Sequence, residues 1–240
     1  MMAHPRAGRV CVVVPTYNER ENVKRLCDEI FQLEDTRIEV LFVDDSSPDR
    51  TGDLLRGISA ENGRVHVISR TSKQGIGSAY VAGFSEALSG LSSDVVVEMD
   101  ADLQHPPSLI PILVRTVESG AGVAVASRYV EGGGVAEWGF LRRTVSRGAN
   151  AFARMAIGLS TRDCTSGFRA YDRETVAILI ASDLPTRGFE FQVAALLALK
   201  ERTQVVEVPF TFRPRSHGKS KLGLLDVLRF AVNVARMALR

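Results

Sequence analysis

Asp100 and Asp102 stand two positions apart at the end of the run DVVVEMDADLQHPP (94–107), behind a set of valines and one glutamate. Carboxylates that close repel each other unless something positive lies between them. Alternate residues of an extended chain face the same way, so both acids and Gln104 reach one side. A divalent cation, Mg²⁺ or Mn²⁺, takes such oxygen donors and keeps positions open for a phosphate-bearing substrate. A second acid pair, Asp44 and Asp45 in DDSSPDRT (44–51), has two readings: helix capping or a further part of the same site. A redox dinucleotide site needs GxGxxG after the first strand, where this chain has PTYNEREN; the GIG at 75–77 follows the third strand instead.

The elements that must hold these residues can be read from periodicity. VCVVV (10–14), IEVLFV (38–43), VHVI (65–68), DVVVEM (94–99) and GVAVA (122–126) read as buried strands. Between them, ENVKRLCDEIF places apolar residues at 23, 26, 27, 30 and 31, one face of a helix, with Asn18 and Glu21 as its capping box. PPSLIPILVRTVESG opens on prolines and closes on Gly120, a second helix. Alternation of this kind predicts an α/β fold with a mostly parallel central sheet flanked by helices. In such sheets the ligand crevice lies beyond the carboxyl ends of the strands, where PTYNE (15–19), DDSSPDRT, RTSKQGIG (70–77) and DADLQ (100–104) are gathered.

The remaining composition bounds the partners. A net charge of +2 with 24% charged residues does not mark a nucleic-acid binder. Cys11, Cys27 and Cys164 have no metal-ligand spacing and predict a reducing, intracellular setting. Charge is nevertheless uneven. LRRTVSRGANAFAR (141–154) carries four arginines and no acid, and residues 213–240 carry seven Lys/Arg against Asp226 alone. Arg142 and Ser146 are one helical turn apart and share a face. His105, before two prolines, reads as a turn residue, and SGFRAYDR (166–173) as a structural segment; Glu190 and Gln192 in GFEFQ carry no assignment.

VVVPTYNE, VDDSSPDRT, KQGIGSAY and DADLQHPP resemble the nucleotide-sugar half of family 2 glycosyltransferases with the Rossmann-like GT-A fold. ASRYVEGGG, RRTVSRGAN, DCTSGFRAYDR and FRPRSHGKSKL narrow the resemblance to dolichol-phosphate (polyprenol-phosphate) mannose synthases, over about residues 10–225. The resemblance implies that Pro15, Tyr17, Glu19, Asp44 and Asp45 line the nucleoside pocket, and that Lys73, Gly75 and Gly77 follow the nucleotide-sugar cleft. It implies a metal on Asp100, Asp102 and Gln104, and an acceptor phosphate received by Arg128, Arg142, Ser146, Arg215 and Lys221. Asp102, Arg128, Arg142 and Arg215 would carry catalysis. The implied reaction is inverting, metal-dependent transfer of mannose from GDP-mannose to a dolichyl or polyprenyl phosphate. UDP-glucose as donor, or a non-catalytic sugar-nucleotide-binding subunit, stays open, whereas the QxxRW signature of processive polysaccharide synthases is missing and Trp138 is the only tryptophan.

The implied organisation is a tail (1–9), one catalytic domain (10–221, with a donor half 10–130 and an acceptor half 131–221) and an amphipathic helix (222–240). With no signal-peptide core and no long apolar run, a peripheral position at the cytoplasmic face of a membrane is expected, with a separate anchoring subunit or domain as a further partner. For 222–240, lipid contact and core or oligomer packing remain open; FARMAIGL (152–159) is a second candidate for lipid contact.

Overall fold

A computed structural model describes residues 8–185, 188, 190–214 and 224–239. The first half alternates as expected: β1 (Val10–Thr16), α1 (Arg20–Phe31), β2 (Ile38–Asp44), α2 (Thr51–Glu61), β3 (Val65–Ser69), α3 (Ile76–Ser89), β4 (Val95–Glu98), α4 (Ile110–Glu118) and β5 (Val123–Ser127). A short strand β6 (Gly134–Val135) leads into α5 (Phe140–Ile157), followed by β7 (Arg169–Asp172), α6 (Arg173–Ala181), α7 (Glu190–Leu199), β8 (Val205–Pro209), β9 (Thr211–Phe212) and α8 (Leu224–Ala238).

The main sheet runs β3-β2-β1-β4-β7-β5-β8, and β6 pairs with β9 apart from it. Every pairing in the main sheet is parallel except those of β7, which is antiparallel to both β4 and β5. Strand order therefore turns back between β1 and β4, which is where a crevice opens in a doubly wound sheet. The Asp100–Asp102 segment leaves β4 at that point.

Alternation along β1 divides the core. Val10, Val12 and Val14 face a layer with Val23, Leu26, Ile30, Ile110 and Leu113 from α1 and α4. Cys11 and Val13 face the other layer, with Tyr80, Phe84, Phe191, Phe230 and Val234 from α3, α7 and α8. Full burial of one such aliphatic or aromatic side chain contributes about 1.5–3 kcal/mol.

Two local expectations change. Helix α1 is capped by Glu19, not Asn18, and no side chain makes the cap bond. Asn18 takes left-handed backbone (φ 59°), and its carboxamide oxygen accepts from Asp49 N–H at 3.4 Å instead. The chain thus uses Asn18 to tie two loops together rather than to start a helix. Strand β7 went unread because Arg169 and Tyr171 make SGFRAYDR look polar; in the sheet Arg169 lies opposite Glu98 of β4.

Candidate active site

The loops after β1 and β2 meet through the first acid pair. Asp44 Oδ1 accepts from Thr16 Oγ1 at 3.1 Å and from Ser47 Oγ at 2.6 Å, and Asp44 Oδ2 accepts from Ser47 N–H at 3.1 Å. Asp45 pairs with Arg70 and accepts from Gln74 N–H at 3.3 Å. Both aspartates are buried, and neither caps α2, whose N-cap is Arg50 in left-handed backbone. Pro15 lies in β1 opposite Val43. Lys73 Nζ sits 4.0 Å from the centroid of the Tyr17 ring, a cation–π contact between two expected pocket residues. Glu19 donates its N–H to Thr51 Oγ1 at 3.0 Å and its carboxylate accepts from Asn22 at 2.8 Å.

Gly75 and Gly77 differ in what they do. Gly75 (φ 102°) opens α3 in backbone that disfavours a side chain. Gly77 is buried, and a Cβ there would stand 2.6 Å from the Pro185 carbonyl and 2.7 Å from the Phe191 ring. Its bare backbone allows close packing against Pro185 and Phe191.

The second acid pair sits in a constrained turn. Leu103 is left-handed (φ 63°) while its side chain is buried; such backbone costs about 1–3 kcal/mol and is concentrated at working sites. Asp102 Oδ1 accepts from Gln104 N–H at 3.1 Å, and Asp100 Oδ1 accepts from the Tyr80 hydroxyl at 3.2 Å. Tyr80 is buried between Phe84 and Phe191, and burial together with the Asp100 charge drives its pKa well up, so the phenol keeps its proton and donates. The Gln104 amide nitrogen donates to the Arg213 carbonyl at 3.0 Å, which assigns any bond to a cation to the amide oxygen.

His105 is buried and stacked on Phe168 (5.0 Å between centroids). Its Nδ1 accepts from Asp100 N–H at 3.1 Å. Burial pushes its pKa down to about 4, against the upward pull of Asp102. It is a neutral strut of the turn, in line with the sequence reading. Beneath the turn, Glu98 accepts from Tyr171 at 2.7 Å and from Gln192. Burial raises its pKa to about 7 while Arg169 opposes that shift.

Two carboxylates and a carboxamide oxygen in one turn form a hard oxygen set that fits Mg²⁺ or Mn²⁺. Among the described residues no cluster of three or more His, Cys, Asp and Glu stands ready as a metal cage. Two carboxylates with open positions are also the usual way Mg²⁺ is shared with substrate phosphates.

The acceptor side departs most from expectation. The Arg128 guanidinium forms a bidentate pair with Asp163 at 2.7 and 2.6 Å and a bond to Thr165 at 2.9 Å. Burial works against its charge, and the Asp163 carboxylate more than offsets this, raising its pKa further. Asn150 of α5 joins the same network through Thr165 (3.0 and 3.2 Å). Through Thr165, Arg128 and Asn150 link the end of β5 to α5. Ser146 accepts from the Tyr129 hydroxyl at 2.7 Å. Arg142 is exposed, with its guanidinium 4.0 Å from the Trp138 ring centroid. Trp138 meets Phe212 edge-on at 5.4 Å, and Phe212 meets His105 at 5.7 Å. A run of rings therefore joins Arg142 to the acidic turn. Arg215 and Lys221 lie outside the described residues.

Tyr80, Tyr129, Trp138 and Asp163 were not singled out from sequence. Tyr80, Tyr129 and Asp163 lay inside KQGIGSAY, ASRYVEGGG and DCTSGFRAYDR; Trp138 offered no spacing signal.

Residues 11–178 match the model of Glycosyl transferase family 2. The chain is 40% identical over 234 residues to the polyprenol monophosphomannose synthase of Mycolicibacterium smegmatis, covering 97% of this chain and 88% of that protein. It is 40% identical over 232 residues to the dolichol-phosphate mannosyltransferase of Pyrococcus furiosus, covering 95% of this chain and 63% of that protein, so it spans less than two thirds of that relative. It is 38% identical over 236 residues to the undecaprenyl-phosphate mannosyltransferase of Micrococcus luteus, covering 96% and 94%. Among solved structures, glucosyl-3-phosphoglycerate synthase from Mycobacterium tuberculosis in complex with phosphoglyceric acid superposes with a TM-score of 0.69 at 21% identity, over 97% of this chain and 79% of that one. At that identity the likeness speaks for the fold alone, which is GT-A.

Proposed function

This chain belongs to glycosyl transferase family 2, and from that premise we propose that it transfers mannose from GDP-mannose to a polyprenyl phosphate of the dolichyl or undecaprenyl kind. One observation carries the reading: an acidic turn at the switch point is tied by edge-to-face ring contacts to an arginine that opens to solvent. The named substrates of relatives at 38–40% identity support the choice of acceptor and sugar.

Asp100, Asp102 and the Gln104 amide oxygen would hold Mg²⁺ or Mn²⁺, which would supply positive charge to the departing diphosphate. Tyr17, Lys73, Asp44 and Asp45 shape the nucleoside end, with Pro15, Glu19 and Gly75 framing it. Arg142 grips the acceptor phosphate, assisted by Arg215 and Lys221, while Ser146 and Arg128 hold the helix that presents it. A phosphate monoester has its second pKa near 6 and is largely dianionic at neutral pH, so no general base is required. An acceptor oxygen attacks the anomeric carbon, the bond from that carbon to the diphosphate oxygen breaks, and GDP leaves with the electron pair. Attack from the opposite face gives a β-linked product. The side chains contribute position and charge, which is where most of the rate arises.

The test supplies labelled GDP-mannose, Mg²⁺ and a polyprenyl phosphate dispersed in detergent. Label extractable into organic solvent with release of GDP is expected. Label entering lipid only from UDP-glucose would replace the donor, and nucleotide binding without transfer would reduce the protein to a binding subunit.

A further inference from the structure

The loop RTSKQGIG (70–77) carries two cations, and they turn opposite ways. Lys73 is exposed, with its ammonium over the Tyr17 ring. Arg70 turns inward: its side chain is 9% exposed, and that of its partner Asp45 is 7% exposed. The Arg70 guanidinium divides its donors among three acceptors. It pairs with Asp45, donates through Nη1 to Ser78 Oγ at 2.7 Å, and donates through Nη2 to the Gly75 carbonyl at 3.4 Å. Arg70 N–H donates to the Asp44 carbonyl at 2.9 Å, and Gln74 N–H to the other Asp45 oxygen at 3.3 Å.

Those bonds close the chain on itself. Arg70 stands just past the end of β3, Gly75 (φ 102°) is the N-cap of α3, and Ser78 lies in the first turn of that helix. Between them Thr71, Ser72, Lys73 and Gln74 are all exposed, and none is apolar. Apolar burial therefore does not order this stretch. Exposed backbone with few packed contacts is the part of a fold that opens most readily. Its order rests on polar bonds that meet at one guanidinium and one carboxylate, and that carboxylate belongs to the loop after β2.

We propose that Arg70 is a positioning residue of the donor site: its fork on Asp45, Gly75 and Ser78 presets residues 71–74, so that Lys73 meets Tyr17 before a nucleoside diphosphate binds. The inference rests on the reading of a nucleotide-sugar donor and deepens it. A loop held in its binding conformation spares the ordering cost that binding would otherwise bear. The same pairing balances the Asp45 charge, which would otherwise repel a diphosphate. Lysine is no substitute here, because one ammonium lacks the planar fork that reaches several acceptors at once.

The test is titration calorimetry of the full chain with GDP in Mg²⁺. Arg70→Lys keeps a positive charge beside Asp45 and is expected to bind GDP about tenfold more weakly. Lys73→Ala should lose a similar factor. The double variant should lie within about twofold of the weaker single, because both changes act through one loop. Losses that multiply, or full affinity in Arg70→Lys, would overturn the assignment. A nitroxide on Ser72→Cys, an exposed site in a chain whose own cysteines are buried, reads the loop directly. Its motion should be slow in the parent and fast in Arg70→Lys well below the melting temperature, a change that lost global stability alone would not produce. Equal motion in both would overturn the proposal. If Arg70→Lys misfolds, Ser78→Ala removes one acceptor at a helix position that suits alanine. It should quicken the label in the same way, and an unmoved spectrum there would count against Arg70. Should the unmodified chain bind no GDP, the donor reading fails, and the label still decides whether Arg70 fixes the loop.

Discussion

Arg128 and Arg142 carry the same charge in the same half of the chain, and their surroundings give them different work. Arg128 has spent its fork on a buried Asp163, whereas Arg142 lies over the Trp138 face at the solvent border. Replacing Arg142 by Ala should lower kcat on the order of 10²-fold, the scale seen when one preorganised donor to a developing charge is removed. Titration calorimetry should find GDP affinity in Mg²⁺ nearly unchanged; an equal loss of both would refute the assignment. Tyr80→Phe removes a single hydroxyl from a packed ring while freeing Asp100 to reorient. Outer-shell partners of this kind influence metal affinity by tenfold or more, so Mn²⁺ binding followed by electron paramagnetic resonance should weaken by about tenfold with the melting curve little moved. Unchanged Mn²⁺ affinity would leave Tyr80 a packing residue. The shared helical face of Arg142 and Ser146 could be read from their spacing alone. The Arg128–Asp163 pair could not, because its partners are 35 residues apart and no local pattern connects them. The three thiols are buried, and desolvation pushes Cys27 and Cys164 up to about 12. With thiolate scarce at pH 8, iodoacetamide should modify none of them until the chain unfolds, as mass spectrometry would record; fast labelling of the native protein would contradict that burial.

At the scale of elements, α5 joins a polar anchor to the apolar packing of Ala153 and Ile157. Asp163 receives the Arg128 fork and backbone N–H, and its own N–H and that of Arg162 donate to Glu207. Asp163→Asn would leave a buried guanidinium poorly compensated, at a cost of about 3–5 kcal/mol. For a chain of this length that corresponds to a fall in Tm on the order of 10 °C. A calorimetric scan within about 2 °C of the parent would show the pair to be dispensable. The first five strands were legible because each is a short β-branched run between turn residues. Strand β7 was not, since its charge is balanced by Glu98 from a strand about 70 residues earlier in the chain, a pairing visible only in three dimensions. The helix at the end of the chain was expected from its amphipathic pattern; among the described residues the larger exposed apolar arc belongs to α5, of which only FARMAIGL (152–159) stood out from sequence.

Over the whole molecule, the proposed reaction draws both of its halves from one sheet. The loops assigned to the donor leave β1, β2 and β4, and α5, assigned to the acceptor, is linked to the end of β5 through Arg128, Thr165 and Asn150. On this proposal the acids of the turn would gather a cation and the solvent-facing Arg142 would meet the acceptor phosphate. The most direct check is a crystal structure with Mn²⁺, GDP and a short-chain polyprenyl phosphate, read by manganese anomalous scattering. The account predicts an anomalous peak between the Asp100 and Asp102 carboxylates and the acceptor phosphate against Arg142, across the ring ladder from that peak. A cation bound elsewhere, or a phosphate remote from Arg142 with the crevice left open between them, would contradict it.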